Sequence, residues 1–241
     1  MKKMPDHIHT IPVLEALRNP GCCAFCAMAE KLEVDAIQFI LGPAYMEDDV
    51  RMETNKVGFC KRHLDAMYAE QNRLGLGLML HTHMAQLNKD ILGIIKGRVP
   101  VSFFGKDQSS TVQKLKNHLQ KTHESCYVCK KVDSTFERYV DTFFYIWGKG
   151  GDDGRLVSSQ SGYCIPHFIQ VLNAAEKLGR GKREKFLDEI MPKMQAFLAE
   201  MEHDLDWFTQ KFDFRNADEP WGNSKDALPR AITLLGGSGK A

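Results

Sequence analysis

At 241 residues, 43% hydrophobic and 26% charged, the chain can bury a core as one large domain or two small ones, and its composition excludes a disordered or fibrous protein. Its 32 basic and 31 acidic side chains are evenly spread and leave a net charge of +1, with no basic stripe, which argues against nucleic acid as the principal partner. No apolar run approaches the roughly 20 residues that span a bilayer, and Asp6, His7, His9 and Glu15 interrupt any secretion signal that Lys2 and Lys3 would open.

The pattern is helical throughout, and no alternating strand segment stands out. Ala24 to Leu41 is a run of good helix formers with Leu32, Ala36, Phe39 and Ile40 at helical spacing, ended by Gly42-Pro43. Lys61 to Asn72 reads as a helix. A longer one runs through Leu76, Leu80, Met84, Leu87, Ile91 and Ile95 and closes at Gly97 and Pro100. Ser109 to Lys121 is amphipathic, with Val112, Leu115 and Leu119 on one face. Tyr127 to Trp147 is rich in aromatics and is broken by the glycines at 148 to 154. Pro166 to Leu178, Glu184 to Phe212 and Lys225 to Leu235 complete the series. The Gly/Ser-rich end, 236–241, reads as a flexible or added tail outside the fold. The expectation is an all-α bundle of two similar helical units sharing a core, 1–100 and 101–241, with the boundary near Pro100 to Gln108.

An internal repeat carries the chemistry. Cys23-x-x-Cys26 precedes Gly58-Phe-Cys60-x-x-His63, and Cys126-x-x-Cys129 precedes Gly162-Tyr-Cys164-x-x-His167. Cys60 follows Cys23 by 37 residues, and Cys164 follows Cys126 by 38. Two cysteines three positions apart present both sulfurs to one side of a turn, and Cys-x-x-His does the same with sulfur and imidazole nitrogen. Each copy therefore supplies a Cys₃His set, a closed tetrahedral arrangement suited to Zn²⁺. In sequence order the expected sites are Cys23, Cys26, Cys60 and His63, then Cys126, Cys129, Cys164 and His167, with two zinc ions per chain. The pattern uses six of the seven cysteines and leaves Cys22 over. Seven cysteines in a cytoplasmic protein favour metal or redox chemistry over a disulfide framework. An iron–sulfur cluster and a redox dithiol stay open beside zinc, since thiolates serve all three.

These phrases resemble a family of bacterial proteins of unknown function, frequent in anaerobic Firmicutes. The resemblance extends through Leu41-Gly-Pro-Ala-Tyr-Met-Glu-Asp-Asp49, Asn72-Arg-Leu-Gly75, Leu80-His-Thr-His83, Thr135-Phe-Glu-Arg-Tyr-Val-Asp-Thr-Phe143 and Asp218-Glu-Pro-Trp-Gly-Asn-Ser-Lys-Asp-Ala-Leu-Pro-Arg230. It implies the Cys/His positions and brings no activity with it.

Other polar groups read more plainly. Glu47, Asp48, Asp49, Arg51 and Glu53 form a charged run expected to be a solvated face. His81 and His83 point to different sides of a helix, and His81 is expected to pack inward. Glu137 and Asp141 share a helix face and are the best catalytic candidates, should that face be buried. Glu200-x-x-His203 is half of a di-iron motif without its second half. The Asp218 to Arg230 segment is expected to cap and dock the C-terminus. No Ser-His-Asp order, phosphate loop or dinucleotide fingerprint occurs. The expected function is binding or scaffolding, with a protein or small-molecule partner; the alternative is an iron–sulfur or thiolate-dependent redox enzyme or electron-transfer protein.

Overall fold

In the computed structural model the described residues are 8–19, 21, 23–96 and 108–238, the side chains of 108 and 109 excepted. Among them are eleven α-helices, three short 3-10 turns and no strand. Helix α1 is Thr10–Arg18, α2 Ala24–Leu41, α3 Asp48–Val57, α4 Lys61–Ala69, α5 Arg73–Lys96, α6 Gln108–Glu124, α7 Tyr127–Lys149, α8 Gly151–Ser158, α9 Ile165–Ala175, α10 Arg180–Gln210 and α11 Ala227–Gly236. The all-α expectation holds. Helices α1, α3 and α8 are additions to it.

The two compact units are not the sequential halves. One is residues 1–31 with 135–241, the other residues 32–134, so the expected boundary near Pro100 falls inside the second unit, on residues outside the described part. Helix α2 contributes 24–31 to the first unit and 32–41 to the second, while α7 contributes 127–134 to the second and 135–149 to the first.

In the second unit the core gathers Ala36, Ile37, Ile40 and Leu41 from α2, Val50 from α3, Met67 from α4, Leu76 and Met79 from α5, and Tyr127 and Val128 from α7. Asn72 ties two of these helices together. Its amide donates to the Leu41 carbonyl at 2.6 Å, and its side-chain oxygen accepts the Gly75 N–H at 2.8 Å, capping the start of α5. A Cβ on Gly75 would lie 2.8 Å from that amide nitrogen. Arg51 braces α3 against α5 by donating to the Tyr45 and Leu78 carbonyls and to the Thr82 hydroxyl. The acidic run around it is a solvated helix start: Asp48 and Asp49 occupy the first turn of α3, where the helix dipole favours carboxylates, and Glu53 pairs with Lys130.

In the first unit, α1 buries Val13, Leu14, Ala16 and Leu17, and the Gln160 amide donates to the Leu17 carbonyl. Phe25 sits among Phe136, Phe143 and Tyr163, with ring centroids 4.9 to 5.9 Å apart. Helices α10 and α11 close over Met194, Met201, Ala231 and Leu234. The segment between them is fastened by Lys211, a buried ammonium that donates to the carbonyls of Asn216, Ala217 and Glu219. Arg230 completes the docking, bonding Asp204 at 2.7 Å, Asp226 at 3.0 Å and the Asn223 carbonyl.

Candidate metal centres

Each of the four motif pairs begins at a helix N-terminus. Cys23, Cys60, Cys126 and Cys164 immediately precede α2, α4, α7 and α9, and the second donor of each pair lies three residues on, one turn into the helix. Cys60 and Cys164 have extended backbone at the N-cap and no side-chain capping bond, so their sulfurs are available to other partners. The positive end of each helix dipole favours a thiolate at that position.

The donors assemble across the repeat rather than within it. Cys23 and Cys26 meet Cys164 and His167; Cys60 and His63 meet Cys126 and Cys129. In each group the donor atoms all lie within 4.8 Å of one another. The pairing expected from sequence order is thus wrong, although all eight residues are brought into two groups of the expected composition. Helix length explains the exchange. After Cys26, α2 carries the chain about 22 Å, and after Cys129, α7 carries it about 30 Å. The helices that follow, α3 at about 15 Å and α8 at about 12 Å, are shorter than that distance. In contrast α5, about 36 Å long, is followed by α6 at about 26 Å packed along it, which returns the chain from His63 towards Cys126.

The first group, within the first unit, is buried throughout, with exposures of 0 to 4%. His167 Nδ1 lies 3.0 Å from Cys164 Sγ, 3.4 Å from Cys26 Sγ and 3.8 Å from Cys23 Sγ; Cys26 and Cys164 sulfurs are 3.5 Å apart. The imidazole packs against both Phe25 and Phe136, at centroid distances of 6.1 and 5.4 Å. The backbone N–H of Ser238 donates to Cys26 Sγ at 3.3 Å. The sequence 236–238 is therefore part of the site's surroundings, not a tail outside the fold; 239–241 lie outside the described residues. Three thiols in so dry a place cannot all ionise without a cation. Hydrogen bonds with Cys164 and Cys26, then burial, push Cys23 well above the ordinary thiol range. Cys26, whose sulfur receives bonds from Cys164 and Cys23, is held well below it. Cys164, lowered by its bond with Cys23 but raised more by Cys26 and burial, is pushed up to about 11. A divalent cation would supply the missing charge.

The second group, within the second unit, is built differently. His63 Nδ1 lies 3.2 Å from Cys60 Sγ, 3.2 Å from Cys126 Sγ and 3.4 Å from Cys129 Sγ, with the Cys60 and Cys129 sulfurs 3.9 Å apart. His63 and Cys126 are buried, while Cys60 and Cys129 are half-buried. On the far side of the ring, Nε2 lies 3.1 Å from Glu33 Oε1, and Arg62 donates to the other Glu33 oxygen at 2.8 Å.

The two motif glycines serve by different means. Gly58 has φ +66° and ψ −155°, a region essentially reserved for glycine, and a Cβ there would lie 2.6 Å from His83 Nε2. Its carbonyl accepts the Tyr127 N–H at 2.9 Å, joining the Cys60 turn to the start of α7, and Ser125 Oγ adds a bond to the neighbouring Val57 carbonyl. At Gly162 no left-handed backbone is involved; a Cβ would strike the Phe197 ring at 2.3 Å.

The remaining candidates stand apart from both groups. Glu137 and Asp141 share an exposed face of α7, so the burial that would have made them notable is absent. Glu200 and His203 are likewise exposed on α10. His81 is exposed, contrary to expectation, and its neighbour His83 packs inward instead, Nδ1–H donating to the Asn55 carbonyl at 2.9 Å. Cys22 lies outside the described residues. The six described cysteines form no disulfide. Sequence reasoning missed Glu33, which no spacing relates to His63, and Ser238, whose contribution is a backbone amide.

No curated protein and no solved structure matches the chain. A family model does, over residues 4–241, which agrees with a resemblance spanning almost the whole sequence. The chain belongs to the family of unknown function DUF6062.

Proposed function

We propose that the protein is a two-zinc, cytoplasmic binding or scaffolding protein whose ions are structural: one held by Cys23, Cys26, Cys164 and His167, the other by Cys60, His63, Cys126 and Cys129. The observation that carries this is the size of the two donor groups. Around a single tetrahedral Zn²⁺ the sulfurs are about 3.8 Å apart and sulfur and nitrogen about 3.6 Å apart, from ordinary Zn–S and Zn–N bond lengths. One sulfur–sulfur pair in each group stands at 3.5 or 3.9 Å, the nitrogen–sulfur separations run from 3.0 to 3.8 Å, and no two donors of a group are more than 4.8 Å apart, which suits one ion. An iron–sulfur cluster spreads its ligands over several irons, with each terminal sulfur pointing away from the cluster, so its donors stand wider apart than around one ion. Four protein donors also leave no open coordination position, the arrangement of a structural site rather than a catalytic one. Cysteines without disulfides fit a reducing compartment. Beside Cys26, a cleft of about 470 Å³ lined by Ala27, Glu30, Pro229, Arg230 and Thr233 offers a small molecule a place to bind.

The test is elemental analysis with native mass spectrometry on protein purified without oxygen. The expected result is two zinc ions per chain, lost together with the fold on chelation. A brown preparation containing iron and sulfide, or folded protein without metal, contradicts the reading. Thiolate redox chemistry is favoured over structure by one observation only, the half-buried sulfurs of Cys60 and Cys129 at 3.9 Å.

A further inference from the structure

Both histidines turn Nδ1 towards the sulfurs, so what distinguishes the two groups is what lies behind each ring. His167 packs against two aromatic rings. Behind His63 is a carboxylate: Nε2 of a side chain 1% exposed stands 3.1 Å from Glu33 Oε1. The carboxylate is itself clamped, because Arg62 Nη1 donates to Glu33 Oε2 at 2.8 Å while Arg62 Nη2 lies 3.2 Å from His63 Nε2. Glu33 is only 20% exposed. It belongs to α2, an element that supplies no donor to this group.

The tautomer follows from the geometry. If an ion takes the Nδ1 lone pair, the ring proton must sit on Nε2, and a buried N–H there needs an acceptor. Arg62 has donors only, so the acceptor is Glu33, and the two donors share one carboxylate through its two oxygens. The reverse tautomer, with Nε2 accepting from Arg62, would aim an N–H at three sulfurs and leave no lone pair for a cation.

We propose, resting on the metal reading above, that Glu33 is a positioning residue for the second centre. Its carboxylate fixes His63 in the Nε2–H tautomer, aims Nδ1 at the ion and makes the imidazole a stronger donor, and Arg62 holds that carboxylate in place. Carboxylate partners of this kind alter metal affinity by roughly 10- to 100-fold. The first centre has its histidine oriented by packing instead and does not depend on Glu33.

The experiment is stepwise chelator competition on the full chain, with the two ions counted separately by native mass spectrometry. The variants are Glu33→Leu, which removes both charge and acceptor, and Glu33→Gln, which keeps an acceptor oxygen. Expected is a 10- to 100-fold weaker hold on one ion in Glu33→Leu, a smaller loss in Glu33→Gln and no change for the other ion. The unaffected ion is the internal control: equal weakening of both ions, or of neither, overturns the assignment. A second readout is the imidazole N–H resonance of His63, present downfield in the wild type, shifted in Glu33→Gln and lost to exchange in Glu33→Leu. An unshifted resonance in both variants also overturns it. Wild-type protein holding no ion would overturn the metal reading and this inference together, whereas two ions with unaltered affinity in Glu33→Leu sinks this inference alone.

Discussion

Replacing Gly58 by alanine tests whether the turn before Cys60 is fixed as described. Alanine at φ +66°, ψ −155° enters a region that only glycine occupies readily, at a cost of about 1–3 kcal/mol. The new methyl would also lie 2.6 Å from His83 Nε2, so the ring must move and give up its 2.9 Å bond to the Asn55 carbonyl, about 1 kcal/mol more. The expected total is about 2–4 kcal/mol, read by urea unfolding of metal-loaded protein. Adding His83→Ala should recover only the smaller part, because the backbone strain is untouched. Gly162→Ala should behave oppositely. Its cost, about 1–3 kcal/mol, comes from overpacking against Phe197, so Gly162→Ala and Phe197→Ala should be strongly non-additive. If Gly58→Ala costs less than about 1 kcal/mol, or His83→Ala rescues it completely, the account of this turn is wrong.

Further outcomes follow from the same contacts. Lys211→Met removes the ammonium that holds three carbonyls and should cost about 1–3 kcal/mol while exposing Trp207 and Trp221, seen as a red shift in tryptophan emission. An unshifted spectrum would mean that the segment is held by something else. Deleting residues 237–241 removes the Ser238 amide from Cys26 and should speed alkylation of Cys26 relative to Cys23 and Cys164; equal rates in the truncated and full chains refute that role. At chelator concentrations too low to unfold the chain, Cys60 and Cys129 should label before Cys23 and Cys164, since only the former are half-buried. The reverse order would contradict the burial described for the two groups.

Much of this was legible in the residues. The bounds of α2 follow from its helix formers and Gly42-Pro43, and those of α7 from its aromatic stripe. Helices α3 and α8 hide in a charged run and a glycine break, yet each carries paired aspartates in its first turn, a helix-start signal. The eight donors were readable from spacing alone. Their pairing was not, because a repeat in sequence need not close on itself in space. The lengths of α2 and α7 argue against such closure, since neither is followed by a helix long enough to bring the chain back. What spacing could not reveal is Glu33, an ordinary polar position on α2 until α4 is placed beside it, and the Ser238 N–H, which no side chain announces. His81 and His83 differ for a plain reason: two residues apart on a helix, only one can face the Gly58 turn.

The most direct test of the central claim counts ions in paired variants. Cys23→Ser with Cys164→Ser damages one proposed centre twice, whereas Cys23→Ser with Cys60→Ser damages each centre once. Native mass spectrometry should find one zinc in the folded fraction of the first double variant, whereas the second should retain none and yield little folded protein. One zinc in the Cys23/Cys60 variant and none in the Cys23/Cys164 variant would show that the ligands pair in sequence order, and would contradict the exchange on which this account rests.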